Sequence, residues 1–298
     1  DSTFFSVVPN NSLGKSAVRW LRCNDVHCTP MILSTKEETP GHRLGTYYLE
    51  TGYGIRPSKV IYDRMHSALT EYDLTKVDLD ELFDGFDWLH LSGITPALNK
   101  NCADFILRCL RAAKEKGLTV SFDGNFRSTL WSWEEARDYC TQCLPYVDVL
   151  FGIEPYHLWK DDEDHSKGDW KDGVPLQPSY EQQDEIFQHF IDRYPNLKCI
   201  ARHVRYVHSG SENSLKAFMC TRGTPSSPSS SPSAFWTASA AATLLPAADL
   251  RDDARLQADG HGQLCCGVQR HQAHHPRRRQ HYRRRREHPQ PDEHELRY

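Results

Sequence analysis

The sequence predicts an α/β domain over about residues 1–219, a parallel sheet covered by helices. Apolar runs of strand length alternate with segments of helical period, and Gly, Asn and Asp turn signals bound the runs. The composition changes after Met219, which sets the limit of the domain. Phe4–Val8 reads as a short apolar strand, and Ser12–Leu21 follows with helical spacing. Trp88–Leu91 is the next buried strand. The cleanest helix runs from Cys102 to Lys116, with Cys102, Phe105, Ile106, Cys109, Leu110 and Ala113 recurring on one face. Asn101 is its expected N-cap and Gly117 its C′ stop. Leu118–Phe122 predicts a strand ending at Asp123, Trp133–Cys143 a helix and Val147–Phe151 a strand. A helix over Glu181–Ile191 and a strand over Leu197–Ala201 complete the series.

One segment breaks the alternation, Arg43 to Ala68. Two strand-like runs flank the Gly/Pro-rich stretch Gly52–Ser58, which predicts an antiparallel hairpin with a longer loop. Inserted between two α/β units, such a hairpin must project from the sheet. Carrying Tyr47, Tyr48, Tyr62, Arg56 and Arg64, it has the makings of a lid over a ligand. The alternative is a β-ribbon whose tyrosines and arginines are merely exposed.

Composition bounds the function. With 298 residues, 38% of them hydrophobic and 11% aromatic, the chain can bury a sizeable core, which excludes a wholly disordered protein. No stretch approaches the roughly 18–20 uninterrupted apolar residues of a membrane span, and the first residues lack a basic, cleavable leader pattern. The expectation is a soluble, cytoplasmic protein, and the missing initiator Met predicts a fragment or a processed product. Ten Cys are scattered among apolar positions such as Cys102 and Cys109, which predicts reduced thiols. Cys140 and Cys143 have redox or half-zinc spacing, but they lie in a helical pattern with no second Cys/His pair at a sensible distance. Cys265 and Cys266 are no better evidence of metal.

In open parallel sheets, ligands bind beyond the carboxyl ends of the strands. Asp123-Gly124-Asn125-Phe126-Arg127 places an acid, an amide and an arginine just after a buried strand, with Trp131 and Trp133 opening the next helix. Arg127 suits a bidentate clamp on a carboxylate or phosphate, a task Lys does less well. An N-terminal capping cluster with a surface Arg is the competing interpretation. Ser92-Gly93-Ile94-Thr95-Pro96 is a second strand end, a small-residue turn that a ligand could approach closely.

Taken together, the hairpin RLGTYYLETGYGIRPSKVIYDR, the turn HLSGITPAL and the strand end SFDGNFRSTLW resemble the ribokinase-type (PfkB) carbohydrate kinases, and most of all the 2-keto-3-deoxygluconate kinases. The resemblance covers about residues 3–219, and it is the three motifs in this order that make it specific. It implies a ribokinase-like doubly wound α/β domain with a β lid at about residues 43–68 and a homodimer formed through the lids. It also implies ATP-dependent phosphorylation of a sugar acid, with Mg²⁺ bridging the phosphates. By motif, Tyr47, Tyr62 and Arg64 would hold the sugar acid and Arg127 would reach its carboxylate. Asn125 and the later turn containing Ser209, Gly210, Ser211 and Asn213 would lie on the nucleotide side.

The departures from the family pattern carry equal weight. The Gly-Gly substrate loop after the family's first strand is absent, so the domain is expected to be truncated at its N-terminus. The Asn-x-x-Glu element expected after the Val147–Phe151 strand is replaced around Glu154. The Gly-x-Gly-Asp turn that holds the family's catalytic base does not occur after Met219. This chain is therefore expected to be inactive, and a sugar-acid-binding pseudokinase is the alternative.

Residues 220–298 are different material, expected to form a disordered, low-complexity basic tail. They carry 12 Arg and no Lys against 8 Asp and Glu, a net of +4, where residues 1–219 carry 24 basic and 32 acidic residues, a net of −8. They also contain no Ile and no Asn. Pro225–Ser233 is low in complexity, and Arg277–Arg279 and Arg283–Arg286 form clusters. A nucleic-acid-binding arm is one interpretation, but the acids Glu287, Asp292, Glu293 and Glu295 and the lack of aromatic platforms argue against it. A frameshift explains more. Read one nucleotide later, codons for His261 to Arg297 can encode an amphipathic, helix-like end similar to that of the family. Read two nucleotides later, codons for Phe235 to Leu244 can encode the missing Gly-rich Asp turn. An uninterrupted genomic frame encoding this tail would refute the frameshift.

Overall fold

The computed structural model describes residues 2–52, 56, 59–154, 156, 170–171, 174–175, 180–207, 213–222, 224–229 and 267–269. The chain opens with strands β1 (Ser2–Phe4) and β2 (Val7–Pro9), where a single strand over Phe4–Val8 was expected. The run is split because its two halves serve different sheets: β1 joins the main sheet and β2 pairs with β4 (Ile32–Ser34). Phe5, between them, turns inward and packs its ring 5.6 Å from Phe105. Helix α1 (Ser12–Cys23) begins where the Asn11 side chain accepts hydrogen bonds from Leu13 N and Gly14 N, and β3 (Val26–His27) follows it.

Strands β5 (Thr46–Glu50) and β6 (Lys59–Asp63) form the expected antiparallel hairpin, in a two-stranded sheet of their own. Short helices α2 (Ala68–Glu71) and α3 (Leu79–Leu82) lead back to β7 (Trp88–Ser92). From there the βαβ reading holds. Helix α4 (Lys100–Glu115), β8 (Thr119–Asp123), α5 (Trp133–Cys143), β9 (Val149–Phe151), α6 (Tyr180–Arg193) and β12 (Cys199–Val207) succeed one another, with the small pair β10 (Trp170–Lys171) and β11 (Val174–Pro175) before α6. Strands β7, β8, β9 and β12 are parallel neighbours in that order. Right-handed crossovers of constant direction put α4, α5 and α6 on one face of the sheet.

The core follows from that placement. Leu91, Phe122, Leu150 and Ile200 are direct neighbours across the four strands and form one buried row. The α4 residues at 102, 105, 106, 109, 110 and 113 are all buried and belong to the same apolar cluster, as their spacing predicted. One boundary signal moves. The N-cap of α4 is Asn99, which accepts from Cys102 N, while Asn101 donates to Tyr72 O. Gly117 does stand at C′, with φ +75.

The sheet is mixed, a departure from the parallel sheet expected. Strand β13 (Asn213–Thr221) and strand β14 (Thr224–Ser229) fold back antiparallel beside β12, because turns of a few residues can join only antiparallel neighbours. The full order is β14-β13-β12-β9-β8-β7-β15-β1-β3, with β15 (Gly267–Gln269) antiparallel to both β1 and β7. Two pieces of the 220–298 segment are thus strands of this sheet. Its Arg clusters and Cys265 and Cys266 lie outside the described residues.

Candidate functional site

Two groups of side chains answer to the residues singled out in the sequence. The first is on the hairpin. Tyr47 and Tyr62 are cross-strand partners, their rings 6.2 Å apart, and the Arg64 guanidinium carbon lies 4.1 Å above the Tyr62 ring. Three groups with different chemistry, two phenols and a cation, therefore share one face of the ribbon. Arg56 instead donates to Thr51 O within the hairpin loop.

The root of the hairpin is tied twice. Arg43 forms an ion pair with Asp63 at 2.6 Å and donates to the carbonyls of Asp63 and Met65. His42 and His66, one at each root, both have left-handed backbones, with φ 41 and 52. Glu71 accepts from Gly41 N at 2.7 Å and lies 3.4 Å from His66 Nδ1, linking the two roots.

The second group is at the carboxyl ends of the parallel strands. Ser92, Asp123, Phe151 and Ala201 are register partners and form the last row on the sheet face opposite the helices. Strands β7, β8 and β9 then leave through a glycine: Gly93 N donates to Asp123 O, Gly124 N to Phe151 O and Gly152 N to Ala201 O. The approach is close enough to require glycine. A Cβ on Gly93 would lie 2.2 Å from Gly124 O, and one on Gly124 would lie 2.5 Å from Glu154 O.

Asn125 sits in this turn with φ 42, held by two polar contacts that a third extends to Ile94. Its N–H donates to Asp123 Oδ1 at 3.0 Å, its side-chain amide donates to Ser92 Oγ at 3.2 Å, and Ser92 Oγ accepts from Ile94 N at 3.3 Å. Arg127 is exposed, and among the described residues its guanidinium donates to Phe126 O alone, so most of its donors face outward. Phe126 is fixed by an edge-on contact with Trp133, ring centroids 5.0 Å apart. Burial pushes the Asp123 carboxyl up to about 6, against the opposing effects of Asn125 N–H and Arg127, and Glu154 adds to the rise.

Glu154 was not read from the sequence as part of this turn. Its Oε1 accepts from Arg202 on β12 at 2.9 Å, and its Oε2 accepts from Ile153 N at 3.2 Å. The pair is separated by 48 residues and shows itself only once β9 and β12 are adjacent. Each Glu154 oxygen thus accepts one hydrogen bond, one from a cation and one from a backbone amide. Among the described residues no three His, Cys, Asp or Glu converge.

Cys140 and Cys143 are buried, and burial pushes Cys140 up to about 12 and Cys143 well above its ordinary value, which leaves them protonated and unreactive. The described cysteines form no disulfide. Of the nucleotide-side residues, Ser209, Gly210 and Ser211 lie outside the described residues. Asn213 is the first residue of β13, its backbone paired with Val207.

Comparison with known proteins places this arrangement. A family model for pfkB family carbohydrate kinases matches residues 1–155. A 2-dehydro-3-deoxygalactonokinase of Haloferax volcanii is 36% identical over 153 residues, 51% of this chain and 46% of that protein. A 2-dehydro-3-deoxygluconokinase of Dickeya dadantii is 34% identical over 125 residues, 40% of this chain and 38% of that protein. The crystal structure of a 2-dehydro-3-deoxygluconokinase from Thermotoga maritima superposes with a TM-score of 0.64 at 32% identity, covering 76% of this chain and 66% of that one. The chain thus spans about half the length, or less, of the curated relatives it matches.

Proposed function

The chain belongs to the pfkB family of carbohydrate kinases, and from that premise we propose that it serves ATP-dependent phosphorylation of a 2-dehydro-3-deoxy sugar acid, the gluconate or galactonate form. The observation that carries this reading is the Tyr47–Tyr62–Arg64 stack on a hairpin separate from the sheet, combined with an exposed Arg127 at a strand-end turn. In this reading Tyr47 and Tyr62 pack on the sugar chain, Arg64 and Arg127 hold its anionic end, and Asn125 faces the nucleotide together with Ser209, Gly210, Ser211 and Asn213. Phosphoryl transfer is chiefly a matter of positioning and charge stabilisation, which is what such groups supply. ATP, when bound, provides the phosphoryl group, and Mg²⁺ neutralises its charge. Such a kinase works in the cytoplasm, where ATP is made. Among the described residues no helix is long and apolar enough to cross a membrane.

This chain by itself contains no Gly-x-Gly-Asp turn after Met219. Losing a general base and an anion-stabilising turn costs on the order of 10⁴-fold or more in rate. The reading is therefore of a chain that binds the sugar acid without transferring phosphate at a kinase's rate. Thermal stabilisation by 2-dehydro-3-deoxygluconate, with negligible ADP release in a coupled assay, is the expected result. Normal turnover would overturn the inactivity, and no stabilisation by either sugar acid would overturn the substrate. The apolar hairpin is also the surface through which two copies would pair.

A further inference from the structure

Resting on that reading, we infer that Asp123 is a positioning residue of the strand-end turn, and that an anion bound at Arg127 is taken up together with a proton on the Asp123 carboxylate. The geometry begins with an unbroken chain of hydrogen bonds. Asp123 Oδ1 accepts from Asn125 N, the Asn125 amide reaches Ser92 Oγ, and Ser92 Oγ accepts from Ile94 N. Asp123 thereby holds a non-glycine residue in a left-handed conformation and fixes the start of the segment that carries Arg127. The glycine contacts at 93 and 124 leave this turn no room to shift.

The charges around Asp123 set the coupling. Arg127 comes from the same turn, and Glu154 comes from the loop after β9, already paired with Arg202 of β12. Cys140 of α5 and Tyr156, which packs against Gly124, are both kept neutral by burial. His90, two residues before Ser92 on β7, is also kept neutral by burial, at about 4. Among the described groups acting on Asp123, Arg127 is the exposed cation, and its attraction to Asp123 competes with its hold on a ligand. A carboxylate or phosphate settling on Arg127 would face the Asp123 anion across a poorly solvated turn, and a proton on Asp123 removes the repulsion. The Asp123 carboxyl already lies near 6, so this proton is taken up close to neutral pH.

The test uses the full chain, with 2-dehydro-3-deoxygluconate and ATP as separate titrants for the carboxylate and phosphate sources. Calorimetry at pH 6.5 in buffers of different ionisation enthalpy should show fractional proton uptake with whichever anion occupies Arg127. Affinity should fall several-fold between pH 6 and 8. Asp123→Asn keeps an acceptor for Asn125 N but not the charge, so it should bind more tightly at pH 8 and show a flat profile. A purely structural role for Asp123 would leave that profile unchanged. An unchanged pH slope in the variant, or no proton uptake by the wild-type chain, overturns the inference. A ligand-free measurement separates it from the kinase reading. Arg127→Gln should raise the Asp123 titration midpoint, read by carboxyl ¹³C NMR. An unmoved midpoint overturns the coupling even where the sugar acid binds, and absence of binding by both titrants overturns the kinase reading whatever the midpoint does.

Discussion

At the scale of the residue, the strand-end turn is set by what cannot be larger. Gly93→Ala forces a methyl carbon against the Gly124 carbonyl, a backbone atom with no rotamer to yield. A loss of about 2–3 kcal/mol in a urea denaturation midpoint is expected, in the range of overpacked sites. Asp148 shows the other kind of constraint. Burial alone would raise its carboxyl, but Lys114, Val120 N–H and Lys198 outweigh burial and hold it below the ordinary value. Its contribution is therefore present at neutral pH and is lost as pH falls through the depressed value. Asp148→Ala should cost about 1–2 kcal/mol in the same measurement, chiefly by leaving the buried Val120 N–H unpartnered while Lys114 and Lys198 return to solvent. His90 acts in the same direction. Burial holds it neutral down to about 4, so the fold loses stability as pH drops from about 6.5 towards 4. His90→Gln should remove that part of the acid slope, on the order of 3 kcal/mol. Asn125 and Arg127 were legible in the sequence because a polar turn followed a buried strand. The Glu154–Arg202 pair was not, since neither residue has a local signature and only strand adjacency joins them.

At the scale of the element, helices were more legible than strands. The period of α4 named every residue of its buried face, yet its cap was misread by two positions. Asn99 and Asn101 are equivalent in propensity and each donates to a carbonyl of the preceding segment, Thr70 O and Tyr72 O; Asn99 caps because its backbone is extended and its side-chain oxygen accepts from Cys102 N. Asn99→Ala should therefore cost about 1 kcal/mol of thermal stability through the lost cap, measurable by calorimetry. The first strand was misread as one element because apolar content does not reveal which sheet a strand joins. The hairpin was legible from its turn residues, but the fastening at its root was not. Arg43→Met removes the ion pair and both carbonyl contacts. Amide exchange across 46–50 and 59–63 should then quicken several-fold, while the α4 and β8 amides keep their protection.

At the scale of the whole molecule, the parallel centre followed from sequence, but the mixed edges did not. Short turns and three-residue strands carry too little periodicity to announce themselves. The hairpin exposes Tyr48, Leu49, Val60 and Ile61, an apolar surface that a solitary ribbon has no means to bury. If two copies pair there, Tyr48→Glu with Ile61→Glu, which are cross-strand partners, should convert a dimer to a monomer in sedimentation. The two borders of the main sheet make that route the natural one. The outermost strand on one side, β14, carries Pro225 and Pro228, which have no amide hydrogen to offer, and on the other side β3 is only two residues long. Among the described residues neither border offers a continuous ladder to another molecule, which disfavours fibril-like stacking through the sheet while the ribbon stays open to self-recognition.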